Sequence, residues 1–225
     1  MPLRAVLFDH DGTLVNSEPI HLELWNAVLR KYRIELSEAE YTRHYAGVPT
    51  PANAATLVER YGLPADPPAL ALEKNLATER YLSSTAFPLM PGVRAAVAGL
   101  ADLGLRLAIV TGANANGVRA TVRAYRFEAL FSVVVSGDDV RHSKPAPDCY
   151  LLALARLGLR ADECLAVEDT EHGLRAASLA GVECLAVPTA MSRHHDFSLA
   201  AGIFADMAAA RAHIQAEFVR RAGAA

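Results

Sequence analysis

The chain alternates between short apolar runs and longer amphipathic stretches over most of its length. The first run, 5–8, holds four consecutive apolar residues, which is typical of a buried strand in a parallel sheet. Similar runs predict further strands at 105–110, 131–135, 164–167 and 183–187. The stretches between them predict helices at 93–103, 114–125, 147–157, 174–180 and 207–221. This alternation predicts an α/β fold, with a Rossmann-like parallel sheet covered by helices on both faces.

A purely helical rhythm interrupts this alternation directly after the first strand. Asn16 or Ser17 can cap the first helix, and residues 37–40 have the sequence of a capping box that opens a second helix. Two more helices are predicted at about 52–61 and 68–82, and we find no convincing strand in this part of the sequence.

These patterns predict two domains. Residues 1–16 and 87–225 would form the α/β core, and residues 17–86 would form an inserted helical cap. The insertion leaves from the carboxyl end of the first strand, so we expect it to cover the polar residues there. A helical lid in that place can exclude water and select substrates.

Two aspartates, Asp9 and Asp11, follow the first strand, and Gly12 then permits a sharp turn. Ligands of open α/β sheets bind beyond the carboxyl ends of strands. Two carboxylates this close repel each other unless a cation offsets their charge, and oxygen ligands without His or Cys favour Mg²⁺. An aspartate can also act as a nucleophile and form an aspartyl-phosphate. Taken alone, the pattern is equally consistent with an ordinary Asp-Gly turn.

Three more polar groups follow predicted strands or precede predicted helices. Thr111 lies before a capped helix and could help to bind phosphate, although a Thr-Gly turn is common. Lys144 lies among prolines in a loop, where a solvated lysine would be the default interpretation. Glu168 and Asp169 end a strand and could serve only as a helix cap. If all of these groups meet in one crevice, they provide what phosphoryl transfer requires: a nucleophile, a metal site and a cation.

Composition narrows the functional classes. The chain has 225 residues, 52% of them hydrophobic and 21% charged, which is typical of a globular protein. A net charge of −3 gives no electrostatic reason to expect nucleic acid or an anionic membrane as a partner. We see no signal peptide and no apolar run of membrane-spanning length. The chain has three cysteines, Cys149, Cys164 and Cys184, and they show no CxxC pattern. We therefore expect buried reduced thiols and a cytoplasmic protein.

The complete set of motifs resembles the haloacid dehalogenase superfamily, in the subfamily I branch that carries a helical C1 cap. The motifs occur in the expected order, as Asp-His-Asp-Gly-Thr at 9–13, Val-Thr-Gly at 110–112, Ser-Lys-Pro-Ala-Pro-Asp at 143–148 and Val-Glu-Asp-Thr at 167–170. Within the superfamily the chain looks most like the β-phosphoglucomutase-like phosphatases. The run Arg-His-His-Asp-Phe at 193–197 is similar to phosphatases of the xylulose-1,5-bisphosphate type.

The resemblance implies roles for the four acidic residues. Asp9 would attack phosphorus, and Asp11 would protonate the leaving oxygen and then activate water. Mg²⁺ would be held by the Asp9 carboxylate, the Asp11 backbone carbonyl and Asp169, with Glu168 at or beside the metal. Dehalogenases lack the second acid, because a halide leaves without a proton, so Asp11 favours phosphate esters as substrates.

The same resemblance implies how the phosphate would be bound. Thr111 would hold a phosphate oxygen, and Lys144 would stabilise negative charge around the nucleophile. Backbone amides would complete the site, near Asp11 and Gly12 and near Gly112 and Ala113.

Cap residues bear on the choice between a phosphatase and a mutase. His21 matches the cap histidine of the mutases, and the Gly47 loop with Val48 matches the specificity loop of the family. Ala46 and Thr50 stand where the mutases carry basic residues, so a second phosphate would be poorly held. We therefore expect transfer to water, with His21, Gly47, Val48 and Thr50 contacting the substrate.

The sequence thus predicts a Mg²⁺-dependent phosphatase that hydrolyses a small phosphorylated metabolite, such as a sugar phosphate or phosphoglycolate, through an aspartyl-phosphate. The alternatives are a β-phosphoglucomutase-type mutase and, less favoured, a ligand-binding protein without catalysis. We expect a monomer or weak homodimer whose partner is the small metabolite, without nucleic acid or membrane.

Overall fold

A computed structural model describes residues 1–223 of the chain. The chain divides into two compact units, one formed by Met1–Asn16 together with the chain from Pro88 onward, the other by Ser17–Phe87. The division differs from the predicted domain boundaries by one residue, at the second junction.

Six parallel strands form one sheet in the first unit. They are β1 (Ala5–Phe8), β2 (Arg106–Val110), β3 (Phe131–Val135), β4 (Cys164–Glu168), β5 (Glu183–Ala186) and β6 (Gly202–Ile203), in the spatial order β3-β2-β1-β4-β5-β6. Along the chain, β2 and β3 are added on one side of β1, and β4, β5 and β6 are then added on its other side. Because the order reverses beside β1, the carboxyl ends of β1, β2 and β4 surround the place where such sheets bind ligands.

Nine α-helices connect or extend these strands in the described residues. The Ser17–Phe87 unit contains α1 (Glu18–Leu29), α2 (Glu38–His44), α3 (Thr50–Tyr61) and α4 (Pro67–Ser84). The sheet-containing unit has α5 (Val93–Ala101), α6 (Ala115–Tyr125), α7 (Asp148–Leu157), α8 (Glu171–Leu179) and α9 (Met207–Ala222). Short 3₁₀ turns occur at 30–32, 137–139 and 161–163. The predicted fold class is confirmed.

The central strand is buried on both of its faces. Ala5 and Leu7 belong to the core cluster that includes residues of α7 and α8. Val6 and Phe8 point to the opposite face and are also fully buried, and the Phe8 ring meets Phe131 edge-on at a centroid distance of 6.3 Å. This packing explains why β1 is apolar at every position and holds the residue that follows it firmly in place.

The predicted thiol state and the caps of the helices agree with the structure in most places. All three cysteines are buried and free of disulfides. Ser37 caps α2 as predicted, by accepting a hydrogen bond from the Glu40 amide. Ser17 precedes α1 but makes no capping bond, so the prediction of a side-chain cap there was wrong. Over the residues that the structure describes, no helix is long and apolar enough to cross a membrane.

Candidate active site

Asp9 and Asp11 lie directly beyond the carboxyl end of β1. The Asp9 amide donates to the Val167 carbonyl at 3.0 Å, which continues the pairing with β4, and Asp9 is only 6% exposed. Asp11 is more accessible, with 28% of its side chain exposed. Gly12 turns the chain with a φ of +81°, a conformation that favours glycine. The first motif therefore presents one buried and one accessible carboxylate.

Glu168 and Asp169 bring two more carboxylates to the same place from the end of β4. One ligand oxygen each from Asp9, Glu168 and Asp169 lies within 4.8 Å of the others, and all three residues are buried. Among the residues described, this is the one group of His, Cys, Asp or Glu side chains close enough to hold a metal ion. A cluster of carboxylate oxygens suits Mg²⁺, which prefers hard ligands.

Two glycines allow these carboxylates to approach the backbone. A Cβ atom at Gly12 would overlap the Asp169 carboxylate, and one at Gly173 would overlap the Glu168 carboxylate. Gly173 lies in the first turn of α8, immediately after the two acids. The missing side chains at both positions therefore provide the space in which the acidic cluster is held.

Lys144 supplies the positive charge of the site. Its Nζ donates to Asp9 Oδ1 at 2.6 Å, to Glu168 Oε1 at 2.6 Å and to the Val110 carbonyl at 2.7 Å. The lysine side chain is 8% exposed, so these bonds form away from bulk water and are stronger than surface ion pairs. Lys144 therefore joins the end of β1 to the end of β4 through the loop before α7.

The electrostatic balance of the cluster favours a divalent cation. Burial raises the pKa of Asp9 above its ordinary value, with Lys144 opposing the shift, and burial raises the pKa of Glu168 to about 7 against the same lysine. Burial lowers the pKa of Lys144, but attraction to Asp9 and Glu168 outweighs it, so the net pKa shift is upward. If all three carboxylates are ionised, they and the ammonium carry a formal charge of −2, which a Mg²⁺ ion would neutralise.

Tyr150 is a further residue of the site that the sequence prediction missed. Its hydroxyl donates to Glu168 Oε1 at 2.5 Å, and the residue is fully buried on α7. Burial raises the pKa of Tyr150 well above its ordinary value, so it acts as a donor. The sequence feature that could have indicated this role is the position of Tyr150 on the inward face of the helix that follows Lys144. A buried tyrosine hydroxyl needs a polar partner.

Thr111 and Gly112 directly follow β2, beside the loop that carries Lys144. Thr111 is 1% exposed, and its Oγ1 accepts a hydrogen bond from the Ala113 amide at 3.0 Å. The Ser143 hydroxyl donates to the Gly112 carbonyl at 3.0 Å, which ties the loop carrying Lys144 to this turn. The Gly12 amide donates to the Val15 carbonyl. The Ala113 and Gly12 amides thus already have protein acceptors, and their predicted contact with phosphate requires those bonds to be exchanged.

The other predicted substrate residues belong to the Ser17–Phe87 unit. His21 Nδ1 lies 3.0 Å from Lys74 Nζ, and its ring packs against Phe87 at a centroid distance of 5.1 Å. The Gly47 amide donates to Glu18 Oε1 at 2.9 Å, with a φ of +70°. Val48, which follows in this loop, is 40% exposed, and Thr50 begins α3. Glu18 therefore fixes the Gly47 loop against α1.

Comparison with known proteins places these motifs in a family. Residues 6–187 match the family model described as haloacid dehalogenase-like hydrolase. The protein CbbY of Rhodobacter capsulatus is 34% identical over 93% of this chain and 96% of the relative. The fructose-1-phosphate phosphatase YqaB of Escherichia coli is 32% identical over 81% of this chain and 95% of the relative.

A solved structure agrees with this assignment. A mutant of CbbY from Rhodobacter sphaeroides, crystallised in complex with xylulose-(1,5)bisphosphate, has a TM-score of 0.78 and 28% identity, covering 92% of this chain and 95% of that structure. The similarity extends over both the sheet-containing part of the sequence and its helical insertion. This chain belongs to the haloacid dehalogenase-like hydrolases.

Proposed function

We propose that this protein is a Mg²⁺-dependent phosphatase that hydrolyses a phosphorylated carbohydrate through an aspartyl-phosphate at Asp9. Relatives named fructose-1-phosphate phosphatase and phosphorylated carbohydrates phosphatase support the reaction class. The observation that carries the proposal is the position of Lys144, bonded to both Asp9 and Glu168 beside Asp169. In this proposal Asp9 would be the nucleophile, Lys144 the cation, and Asp9, Glu168 and Asp169 the carboxylates near the metal ion.

In the first step, a carboxylate oxygen of Asp9 attacks phosphorus, and the bond from phosphorus to the ester oxygen breaks. Asp11 donates a proton to that oxygen, so the sugar leaves as an alcohol rather than as an alkoxide. Lys144 contacts Asp9 Oδ1 and stabilises the negative charge on the transferring group. The greater exposure of Asp11 suits a residue that must reach a leaving group.

In the second step, water attacks phosphorus, and the bond between phosphorus and Asp9 breaks. Asp11, now ionised, accepts a proton from the water and thereby returns to its starting state. Asp9 is regenerated as a carboxylate, and inorganic phosphate is released. One acid therefore serves both half-reactions, which requires that it remain close to the phosphorus throughout.

Asp9, Asp169 and the Asp11 backbone carbonyl would hold Mg²⁺, with Glu168 beside them. When bound, the ion supplies positive charge that reduces repulsion between Asp9 and the phosphate. Glu168 already accepts hydrogen bonds from Lys144 and Tyr150 through Oε1, so these two donors fix its orientation toward the cluster.

Substrate recognition is assigned to two groups of residues. Thr111, with the neighbouring amides of Gly112 and Ala113, would bind the transferring phosphate. In the helical unit, His21, Gly47, Val48 and Thr50 would select the carbohydrate, and their substitution is expected to change KM for different sugar phosphates more than kcat.

The proposal is tested by measuring phosphate release from a panel of sugar phosphates with and without Mg²⁺. We expect turnover that needs the metal ion and is lost in Asp9→Asn, because an amide cannot form the phosphoenzyme. Asp102→Asn, which makes the same chemical change at an exposed position beyond α5, is the control and should keep full activity. Metal-independent turnover, or an active Asp9→Asn protein, would refute the mechanism.

One further assay distinguishes a phosphatase from a mutase. β-Glucose 1-phosphate is incubated with the enzyme, Mg²⁺ and a glucose bisphosphate primer. We expect inorganic phosphate as the main product. Formation of glucose 6-phosphate in excess of released phosphate would show that the protein is a mutase.

A further inference from the structure

His10 lies between the two aspartates of the first motif and contacts one of them. Its Nδ1 is 3.1 Å from Asp11 Oδ2, and its Nε2 is 2.9 Å from the Thr121 hydroxyl. His10 is 1% exposed and Thr121, on α6, is completely buried. A buried side chain therefore connects a core threonine with the accessible carboxylate of the site.

The chemistry of the three groups sets the direction of these bonds. An ionised carboxylate can only accept, and a carboxylic acid that carries its proton on Oδ1 still accepts through Oδ2, so Nδ1 donates to Asp11 in both protonation states. In a neutral imidazole, Nε2 then accepts, and the Thr121 hydroxyl donates to it. Thr121 thereby selects the ring tautomer and the ring orientation that Asp11 requires.

Asp11 benefits from such support more than the other acids do. Its side chain is 28% exposed, whereas Asp9 and Asp169 are each 6% exposed as residues and lie within the metal cluster. The nearby charge of Asp9 also repels it. The contact with Nδ1 restricts the rotamers that this partly exposed carboxyl group can adopt, and misplacement of a proton donor slows the chemistry.

We propose that His10, held in turn by Thr121, is a positioning residue for Asp11 and determines how well that acid protonates the leaving group. The proposal rests on the proposed function, in which Asp11 is the general acid. It predicts that loss of the imidazole lowers kcat/KM more for a substrate whose leaving oxygen needs a proton than for a substrate whose leaving oxygen does not.

The test compares two substrates whose leaving groups differ in basicity. The value of kcat/KM reports the steps up to departure of the leaving group. For a sugar phosphate, His10→Leu should lower kcat/KM by about tenfold to a hundredfold, a size typical of impaired acid catalysis. For 4-nitrophenyl phosphate, whose leaving group departs without a proton, the loss should be no more than about threefold. His10→Asn, whose amide can donate from the position of Nδ1, should recover most of the sugar-phosphate activity.

Thr121 provides a second and milder test. Thr121→Val removes only the hydroxyl and should produce the same substrate-dependent loss, whereas Thr121→Ser keeps the hydroxyl and should behave like the wild type. If His10→Leu fails to fold, this matched pair decides the question.

The outcomes separate the inference from the proposed function. Equal losses on both substrates, or no loss on either, in folded variants would overturn the positioning role of His10 and leave the phosphatase assignment standing. A wild-type protein that hydrolyses neither substrate with Mg²⁺ would overturn the proposed function itself.

Discussion

At the scale of single residues, the space left by glycine determines how the acidic cluster is built. Asp169 lies where a Cβ of residue 12 would be, so the carboxylate reaches the end of β1 only because that residue is glycine. Gly104 has almost the same backbone conformation, with a φ of +80° against +81° for Gly12, but no atom lies within 4 Å of the place where its Cβ would be. Substitution of each glycine by alanine therefore separates the effect of backbone strain from the effect of a steric clash.

Gly12→Ala should weaken Mg²⁺ activation, because the added methyl group displaces Asp169. We expect the Mg²⁺ concentration for half-maximal activity to rise by about tenfold or more, the size found when the support of a metal ligand is disturbed. Gly104→Ala introduces comparable backbone strain, about 1–2 kcal/mol, without the clash. Its half-maximal Mg²⁺ concentration should not change, and an equal rise in both variants would contradict this role of Gly12.

Residues in the motifs could be predicted from the sequence, but their supporting contacts could not. Asp9 and Lys144 are 135 positions apart, yet the parallel topology alone brings strand ends together, so their convergence was predictable. The bond from Tyr150 to Glu168 and the contact between His10 and Asp11 depend on side-chain rotamers. Nothing in residue spacing specifies which rotamer a buried polar side chain adopts.

At the scale of elements, two serines occupy equivalent positions before helices but contribute differently. Ser37 accepts a hydrogen bond from the Glu40 amide and so satisfies one donor at the start of α2. Ser17 precedes α1 with a helical ψ of −27°, and its hydroxyl has no hydrogen-bond partner among residues 1–223. The sequence predicted Ser37 as a cap and Ser17 as one of two candidates, but only an extended backbone at the cap residue directs the side chain back to the helix amides.

Ser37→Ala should therefore destabilise the helical unit by about 1 kcal/mol. Ser17→Ala should not lower the free energy of unfolding, because it removes a buried hydroxyl that makes no hydrogen bond in the folded protein. Trp25, the single tryptophan of the chain, lies on α1 in the same unit, so urea unfolding followed by its fluorescence measures both variants. A larger loss in Ser17→Ala than in Ser37→Ala would contradict the assignment of the caps.

The strands and helices were predictable to within a few residues where their patterns were long. Phe131–Val135 was predicted with both of its ends, and α9 to within one residue. The strand β6 was missed, because two residues, Gly202 and Ile203, are too few to show an alternating pattern. Its pairing with β5 depends on tertiary contacts instead.

At the scale of the whole molecule, the sheet brings three acidic side chains together in a buried place. Burial disfavours their ionised form, so their negative charge opposes folding unless a cation is bound. Burial raises the pKa of Glu168 from 4.5 to about 7, so the folded protein without metal holds a proton there that the unfolded chain releases. A raised acid pKa contributes stability below the unfolded pKa, and this contribution is lost as the pH rises through about 7. A bound divalent cation should oppose that loss.

The metal-free protein should therefore become less stable as the pH rises from about 5 to about 8. Calorimetry in EDTA should show a falling Tm over this range, and Mg²⁺ should raise Tm more at the upper end of it. Glu168→Gln, which removes this titrating group, should make the metal-free profile less steep, and the raised pKa of Asp9 should account for the slope that remains. A Tm that rises with pH in EDTA, or an unchanged profile in Glu168→Gln, would contradict this account of the charge balance.

The central claim is that Asp9 carries the phosphoryl group during turnover, and trapping that intermediate tests it most directly. The enzyme is mixed with Mg²⁺ and a sugar phosphate that it hydrolyses, quenched in acid and then reduced with borohydride. Borohydride converts an acyl-phosphate into an alcohol. Mass spectrometry of the peptide that contains residues 5–18 should find homoserine at position 9, and none when the substrate is omitted. Reduction at another residue, or turnover without any modified peptide, would contradict the account.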